Sequence, residues 1–298
     1  MSSRADNRRV TQQDVDQGFS RWISDMSNVA HHLLTIGAAA LFIIPLLWMV
    51  GASLRQPGLA PPTQLEWIPN PIVLDNYYKV ATDLIPFGTF LANSLKVVAV
   101  AVPVTVITAS WAGFAMAQIT PRPRGWLILA SVAALMVPVT VLWLTRFLVY
   151  KWIGALDSLW ALILPSFMGT SPFYVLLFYW TFSRVSSDLY ESARLDGASA
   201  FRVWFSIALP LSRPAITAVA VLTFVAYWSN YIDPLLYLSS QKDFTLPVGL
   251  QALQQMPAIG FPLLLTGAVM ITVPVVVMFV IAQRYFLQDL RGAGWLGR

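Results

Sequence analysis

The chain has 298 residues, of which 57% are hydrophobic and only 11% are charged. An ordinary soluble domain has about 25% charged residues, so this composition could hardly cover a water-facing surface and predicts a membrane protein. The absence of cysteine excludes disulfides, thiolate metal sites and a cysteine nucleophile. The net charge of +5 is spread over single arginines between apolar runs, which argues against a nucleic-acid partner.

Six apolar runs are each long enough to cross a hydrocarbon core of about 30 Å. Backbone N–H and C=O groups find no partner in lipid, so these runs must be helices. Prolines inside them should kink the helices, but neighbouring helices can also accommodate a proline, so no single proline is given a role. The predicted spans are 33–54, 90–118, 126–150, 159–182, 215–238 and 262–286.

Lysine and arginine are distributed unequally between the segments that connect these runs. The side that holds both termini and the loop 183–214 has 13 of them, and the opposite side has four. Because cytoplasmic loops carry the excess of positive charge, both termini should be cytoplasmic. The predicted fold is therefore an all-α membrane protein with six transmembrane helices and a cytoplasmic loop between the fourth and the fifth.

Outside the spans, no segment is long enough to form a soluble domain. Residues 1–32 form a predicted cytoplasmic tail with an interfacial helix, since their apolar residues recur on one helical face. The transmembrane domain is predicted at 33–286, and a second cytoplasmic tail at 287–298. The external segment 55–89 is rich in proline and is expected to lie extended as a cap, with a short helix near Asn76–Thr82.

Loop 183–214 is the longest predicted cytoplasmic connection, and its pattern indicates two short helices joined at Gly197. Asp188 and Glu191 have the spacing of a capping box at the start of the first helix. After the glycine, four apolar residues at helical spacing form a stripe that cannot all face water. The stripe consists of Phe201, Trp204, Phe205 and Ala208. Leu209-Pro210 and Pro214 should then stop the second helix and turn the chain into the fifth span.

The spacing of this loop fits the pattern E-A-A-x3-G-x9-I-x-L-P, which is similar to the signature of ABC-importer permeases. The matching residues are Glu191, Ala193, Gly197, Ile207, Leu209 and Pro210. Ser192 replaces the usual middle alanine, which exchanges one small residue for another. From the first span onward the chain resembles the carbohydrate-importer branch, and in particular the smaller permease subunit of the maltose importer. Local matches are Asn76-Tyr77, Asn93-Ser94-Leu95, Pro172-Phe173 and Arg284-Tyr285-Phe286.

This resemblance implies a non-catalytic permease subunit that moves a di- or oligosaccharide across the bacterial cytoplasmic (inner) membrane. The implied partners are a second permease subunit in a heterodimer, two cytoplasmic ATPase subunits, an extracytoplasmic sugar-binding protein and membrane lipid. No cofactor or metal is expected in this chain, because ATP and Mg would be bound by the ATPases. The sequence has no G-x-x-x-x-G-K-[ST] phosphate loop, which agrees with that division.

The resemblance also implies that the loop helix inserts into a groove of the ATPase, with Glu191 facing a basic residue and Gly197 permitting the bend. The residues alone leave an alternative open, in which Glu191 only caps its helix and the aromatic residues pack only on this subunit's own spans. The predicted coupling residues are Glu191, Ser192, Ala193, Asp196, Gly197, Phe201, Trp204, Phe205, Leu209 and Pro210. A second ATPase contact is expected in the tail, at Leu290, Arg291, Gly292 and Gly294.

Polar groups inside a span are costly, so they indicate a cavity or a contact between helices. The cluster in the fifth span is the predicted translocation path, because aromatic faces can stack on a sugar ring and polar groups can bind its hydroxyls. It comprises Trp228, Asn230, Tyr231 and Asp233. The alternative for these residues is helix–helix hydrogen bonding with an interfacial aromatic belt. Weaker candidates are Asn93, Ser94 and Lys96, and Thr140, Trp143 and Arg146; Arg146 is expected to reach the outer interface.

Two other classes of protein remain as alternatives to a sugar permease. An ion-coupled secondary transporter should have paired repeats and acidic residues at mid-membrane, and a membrane enzyme should have a nucleophile, base or metal constellation. The sequence has none of these patterns. Within the importers, a polyol or a glycerol phosphate remains open as the cargo in place of a sugar.

Overall fold

The computed structural model describes residues 31–256 and 259–292, with side chains through residue 284. These residues form helices, and no strand occurs among them. In chain order the first helices are α1 His31–Ser53, α2 Asp75–Tyr78, α3 Phe87–Gln118, α4 Pro121–Leu135, α5 Val139–Trp152, α6 Trp160–Ile163 and α7 Pro172–Phe182. The remaining helices are α8 Ser187–Leu195, α9 Ala200–Val203, α10 Leu209–Leu211, α11 Arg213–Trp228, α12 Ile232–Tyr237, α13 Leu246–Gln254 and α14 Gly260–Gly292.

Short turns of other helical types extend several of these helices. Wider π-helical turns at Lys79–Leu84 and Trp204–Ala208 follow α2 and α9 directly. A 3₁₀ turn at Leu164–Met168 follows α6, and another lies at Gln241–Asp243. The short helix expected in the external segment is therefore present, as α2 with its π-helical continuation.

Among the described residues, four stretches are long and apolar enough to cross a membrane: His31–Ser53, Phe87–Gln118, Trp160–Phe182 and Gly260–Arg284. Two bent pairs raise the number to six if each pair is one span. In one pair α4 and α5 meet at 95°, and in the other Ala200–Leu211 meets α11 at 84°. The predicted all-α membrane class is confirmed.

Two of the predicted spans differ from the observed helices. The run 126–150 is not one straight helix, because α4 ends at Leu135 and α5 starts after Pro138, which lacks an N–H and disfavours helical geometry at the residue before it. The run 215–238 is also interrupted, since α11 ends at Trp228 and α12 begins at Ile232.

Helix α3 lies at the centre of the fold and packs closely against α7. A Cβ on Gly113 would lie 2.7 Å from Phe178 Cβ and 2.8 Å from both Tyr179 N and the Val175 carbonyl oxygen. Beside this contact the rings of Phe114 and Phe182 meet edge to face with centroids 5.9 Å apart. Small residues let membrane helices approach through van der Waals contact, so Gly113 sets the separation of α3 and α7.

Polar side chains join helix ends on the opposite side of the molecule from the loop 183–214. The buried Asn76 amide donates to the carbonyl oxygens of Ser53 and Arg55, at 2.8 and 2.7 Å. The Thr266 hydroxyl donates to the same Ser53 carbonyl at 3.0 Å. These bonds hold the external segment against the ends of α1 and α14.

The start of α3 is held in a similar way. The Asn93 amide donates to the carbonyl oxygens of Lys242 and Phe244, at 2.7 and 3.1 Å. The Ser94 hydroxyl accepts a hydrogen bond from the Leu246 amide at 2.9 Å. Asn93 and Ser94 therefore make contacts between segments of this chain, while Lys96 is exposed.

Asp157 fixes the segment that follows α12. Its carboxylate accepts hydrogen bonds from the amides of Ser239 and Ser240, both at 2.8 Å, and from the Ser240 hydroxyl at 2.7 Å. Its own amide donates to the Tyr237 carbonyl at 2.9 Å. The Ser240 hydroxyl bond, followed by the two amide bonds, holds the pKa of Asp157 below its ordinary value.

The close contact of α3 and α7 predicts opposite outcomes for two glycines of the same helix. Gly113→Ala should lower the free energy of unfolding by about 1–3 kcal/mol, because the added methyl group would overlap α7. Gly88→Ala is the matched control, since a Cβ there meets nothing within 4 Å, and it should gain at most about 1 kcal/mol of helix propensity. Thermal unfolding of the purified protein in detergent measures both changes, and equal shifts would contradict the proposed packing.

The lowered pKa of Asp157 predicts how its contribution to stability depends on pH. A carboxyl whose pKa is lower in the folded state stabilises the fold above its unfolded-state pKa, and this contribution is lost as the pH falls through the folded-state pKa. Acidification should therefore lower the melting temperature of the wild type more than that of Asp157→Asn. Asp83→Asn removes a carboxylate that, within the described part of the chain, accepts a hydrogen bond from the adjacent Thr82 hydroxyl alone, and it should follow the wild type. If the melting temperatures of Asp157→Asn and the wild type fell in parallel with pH, the hydrogen bonds of Asp157 would not contribute to stability as proposed.

Candidate functional site

Helix α8 opens the loop 183–214 and is capped by Ser186. The Ser186 hydroxyl accepts a hydrogen bond from the Asp188 amide at 3.3 Å, and the helix starts at Ser187. The predicted capping box of Asp188 and Glu191 is therefore wrong, because the serine two residues earlier satisfies the free amide. Asp188 lies in the first turn, where a negative charge favours the helix dipole. Glu191 is exposed, and its side chain makes no hydrogen bond or ion pair within the described residues.

Gly197 ends α8, as predicted, and it does so with a positive φ of 79°. The Gly197 amide donates to the Arg194 carbonyl at 2.9 Å, and the Ala198 amide donates to the Ala193 carbonyl at 3.0 Å. These two bonds form a Schellman motif, in which glycine adopts the left-handed conformation without steric cost. A Cβ on Gly197 would meet nothing within 4 Å, so the backbone requires glycine here while the space beside it is open.

The apolar stripe after Gly197 is divided between the interior and the surface. Trp204 is only 4% exposed, and its ring meets that of Trp111 of α3 edge to face, with centroids 4.9 Å apart. Ala208 is fully buried in the same cluster. Phe201 and Phe205 are 60% and 59% exposed, and their rings stack on each other 6.0 Å apart. The stripe therefore buries Trp204 and Ala208 against this chain's own spans and leaves the rings of Phe201 and Phe205 mostly exposed, although Phe201 also touches Trp111 of α3, with ring centroids 6.0 Å apart.

The second helix of the loop ends within the segment from Leu209 to Pro214 that was predicted to stop it. Pro210 is tolerated in the first turn of α10, and the helical stretch continues to Leu211. The chain then turns at Ser212 into α11, at 84° to the preceding stretch. The predicted turn into the fifth span is therefore present, two residues beyond Leu209-Pro210.

Contacts with α3 and α7 tie this loop to the spans. The Arg194 guanidinium donates to the Gln118 side-chain oxygen at 2.6 Å, which joins α8 to the end of α3. The Tyr190 ring is buried against Phe114, with centroids 5.9 Å apart. Cavities of about 390 and 320 Å³ flank α8, one against the ends of α3 and α7 and the other between α8 and α9.

Leu195 is an exposed residue of this loop that the sequence reasoning missed. It is the last residue of α8 and is 89% exposed. The pattern that identified the loop treats this position as variable, and an isolated leucine in a polar helix carries no periodic signal. It is a third exposed apolar side chain of this loop, on the other side of the bend at Gly197 from Phe201 and Phe205. We refer to Leu195, Phe201 and Phe205 together as the apolar surface of the loop.

The division of the stripe predicts different stability effects for two neighbouring aromatic residues. Trp204→Ala should lower the free energy of unfolding by about 3–5 kcal/mol, because it empties a buried site between the loop and α3. Phe205→Ala should change it by no more than about 0.5 kcal/mol, because its ring is mostly exposed. Chemical denaturation of the isolated chain in detergent distinguishes them. Similar losses for both would mean that Phe205 is also part of the core.

A second candidate site is a cavity of about 170 Å³ between α5, α6 with the turn that follows it, α11 and α12, which we call the membrane cavity. The Asn230 side-chain amide donates to Asp233 Oδ2 at 2.9 Å. Arg146 Nη1 lies 3.9 Å from the same oxygen. Thr170 and Tyr227 share a hydrogen bond of 3.1 Å at the wall. The lining residues are Val139, Arg146, Leu162, Pro165, Thr170, Ala226, Tyr227, Asn230 and Asp233.

The structure separates the residues of the predicted path. Asn230 and Asp233 line the membrane cavity, whereas Trp228 is buried elsewhere, and its indole N–H donates to the Ile271 carbonyl of α14 at 3.0 Å. Tyr231 is partly exposed and is not part of the lining. Arg146, which was expected to reach the outer interface, lies beside Asp233 of α12 after the bend that precedes α5.

Several expected features lie outside the described residues. The predicted interfacial helix falls within residues 1–30, and Gly294 of the predicted tail contact lies beyond residue 292. Leu290, Arg291 and Gly292 lie in the last turns of α14, where side chains are not described. The part of the chain with described placement contains no group of three His, Cys, Asp or Glu residues that could hold a metal ion.

Comparison with known proteins identifies relatives over most of the chain. Residues 84–292 match the family model of the binding-protein-dependent transport system inner membrane component. The arabinooligosaccharides transport system permease protein of Halalkalibacterium halodurans is 32% identical over 281 residues, which cover 91% of this chain and 98% of that protein. The trehalose/maltose transport system permease protein of Thermococcus litoralis is 30% identical over 287 residues, covering 89% and 96%.

The fold is also similar to a chain of known structure. That chain belongs to a bacterial ABC transporter involved in the import of the acidic polysaccharide alginate. The TM-score is 0.69 at 20% sequence identity, and the match covers 88% of this chain and 96% of the other. At that identity the likeness concerns the helical architecture.

Proposed function

The chain belongs to the family of binding-protein-dependent transport system inner membrane components, and on this premise we propose that it carries a di- or oligosaccharide through the membrane. It is a multi-pass protein of the cytoplasmic membrane and a permease component of an ABC importer. The relatives that transport arabinooligosaccharides and trehalose or maltose support a saccharide cargo over a polyol or a glycerol phosphate.

The topology proposed for this function has six spans and both termini in the cytoplasm. Counting each bent pair as one span gives six crossings, and the excess of Lys and Arg on the side of loop 183–214 supports the orientation. The transmembrane domain is then 33–286, with cytoplasmic tails at 1–32 and 287–298. The loop 183–214 faces the compartment in which ATP is hydrolysed.

The observation that carries the coupling proposal is the apolar surface of the loop. Three apolar side chains protrude on both sides of a glycine bend, while Trp204 and Tyr190 anchor the same loop to the spans. An exposed aromatic pair on a rigid support is typical of an interface hot spot. We infer that this surface inserts into a cytoplasmic ATPase subunit, where the exposed Glu191 is available for a basic partner.

The other predicted coupling residues have supporting positions in this proposal. Gly197 makes the bend, and Ala193 and Arg194 provide the carbonyls that close it. Trp204 transmits displacement to α3 and does not itself touch the ATPase. Ser192, Asp196, Leu209 and Pro210 complete the loop without an exposed apolar group of comparable size.

The complete importer would contain further subunits. We propose a second permease subunit, two ATPase subunits that bind ATP and Mg, and an extracytoplasmic sugar-binding protein. A solved relative of this fold has been described in complex with a periplasmic protein bound to an alginate pentasaccharide, which supports the last of these. This chain itself carries out no hydrolysis. The tail residues Leu290, Arg291, Gly292 and Gly294 are the proposed second ATPase contact.

The translocation path is proposed at the membrane cavity, through Asn230 and Asp233. Trp228 supports this wall by packing on α14, and Tyr231 lies in the break between α11 and α12. An ion-coupled transporter would also place charges here, but the family match and the coupling loop favour a system driven by ATP.

The coupling proposal predicts that removing two exposed rings weakens ATPase binding without unfolding the permease. Phe201→Ala with Phe205→Ala should weaken co-purification of the ATPase subunits roughly a hundredfold, because two buried anchors of about 1.5 kcal/mol each would be lost. Phe167→Ala removes a ring of similar exposure, 52%, on a segment within the spans and serves as the control.

The same variants should be tested for uptake in proteoliposomes that contain the whole complex. The double variant is expected to lose ATP-dependent sugar uptake, and the control to keep it. Full ATPase binding and normal uptake in the double variant would refute the coupling role. Uptake that follows an ion gradient in the absence of ATP would refute the importer assignment itself.

A further inference from the structure

The membrane cavity contains an opposite pair of charges with hydrogen-bonding capacity left over. Arg146 and Asp233 are partly buried, with side-chain exposures of 28% and 18%. Their nearest atoms are 3.9 Å apart, which is beyond the hydrogen-bond range of about 2.7–3.2 Å. Within the described residues the guanidinium donates no hydrogen bond to a protein acceptor. The two ions are therefore adjacent, but no direct hydrogen bond joins them.

Neighbouring side chains orient the Asp233 carboxylate, whereas the Arg146 guanidinium keeps its N–H donors available for a ligand. Asn230 donates to one oxygen of Asp233 and also accepts from the Asp233 amide at 3.2 Å, which orients the carboxylate. Arg146 keeps five N–H donors for other acceptors. Thr170 and Tyr227 add hydroxyl groups to the same wall. Donors and acceptors thus face one space from four separate segments of the chain.

A hydroxyl group is the ligand that fits such an arrangement. A single hydroxyl can accept from the guanidinium and donate to the carboxylate, so it can bridge the gap of 3.9 Å without either ion losing its counter-charge. A carboxylate ligand would instead be attracted by Arg146 and repelled by Asp233. In a poorly solvated site that repulsion is costly, so the pair discriminates by charge.

We propose that the membrane cavity is a binding site for the hydroxyl groups of an uncharged saccharide, and that the Arg146–Asp233 pair excludes acidic saccharides. This inference rests on the proposed function and adds the class of cargo to it. The alternative is that the pair only holds α5 against α12. The two differ in one respect, because a purely structural pair gives no preference between neutral and acidic sugars.

The absence of cysteine allows a direct measurement of occupancy. Ala226→Cys places one thiol in the lining of the cavity, and Thr63→Cys places one in the exposed external segment as a control. The complex purified from its native membrane is treated with a water-soluble maleimide in the presence of maltotriose or of trigalacturonate. Maltotriose should slow labelling at position 226, trigalacturonate should not, and neither should affect position 63.

Two further variants test the charges themselves. In Asp233→Asn the guanidinium has no counter-charge, so trigalacturonate should now protect position 226, while the concentration of maltotriose needed for half protection should rise roughly tenfold. In Arg146→Gln with Asp233→Asn no charge remains, and protection by both sugars should be weak. Because the labelling requires no ATP, its outcome is independent of whether uptake is ATP-driven.

Two results would overturn the inference. Equal protection by both sugars, or protection by neither, in the otherwise unaltered chain would show that the cavity does not select an uncharged saccharide. An unchanged pattern in Asp233→Asn would show that the pair takes no part in selection. Failure of the proposed function appears separately, as an absence of ATP-dependent uptake by the wild-type complex.

Discussion

The constraint that shapes this protein is that hydrocarbon offers no hydrogen-bond partner to a polypeptide backbone. Each break in a span must therefore find other hydrogen-bond partners, and in this chain polar side chains gather at the breaks. At the turn before α7 the Thr108 hydroxyl donates to the Ser166 carbonyl at 2.8 Å, and Thr105 and Thr170 share a bond of 2.6 Å. Between α11 and α12, Asn230 accepts from the Asp233 amide. The membrane cavity lies where these breaks meet, so the groups that repair the backbone also make the cavity polar.

One helix connects the two ends of the molecule. Helix α3 has 32 residues and is about 48 Å long at about 1.5 Å per residue. Asn93 holds its first turns to the segment after α12, Gly113 lets it touch α7 in its C-terminal part, and Gln118 accepts a hydrogen bond from Arg194 at its end. A close-packed helix transmits displacement because its interfaces have little free volume. A movement imposed on the loop 183–214 therefore reaches α3 directly, through Arg194, Tyr190 and Trp204.

Local patterns in the sequence predicted the features that depend on neighbouring residues. Hydropathy located the helices, and the glycine at 197 ended α8 because a left-handed residue there needs no long-range partner. Local sequence patterns could not predict the features that depend on distant residues. The split of the stripe requires the position of Trp111, and the encounter of Arg146 with Asp233 joins residues 87 positions apart through a bend of 95°. The cap at Ser186 was missed for another reason, since two polar residues competed for one role and spacing alone could not rank them.

The separation of Arg146 and Asp233 relates the fold to the proposed saccharide ligand. A closed, bidentate salt bridge would satisfy both ions and leave no capacity for a ligand. A cavity without polar groups would leave the hydroxyls of a sugar unpaired after they had left water, at a cost of about 1–3 kcal/mol each. A single unpaired ion would itself be too costly in this environment. Arg146 and Asp233 together carry no net charge, lie 3.9 Å apart and keep Asp233 oriented by Asn230, so this arrangement avoids each of these three problems. The same arrangement that keeps α12 beside α5 therefore leaves room for one hydroxyl to complete it.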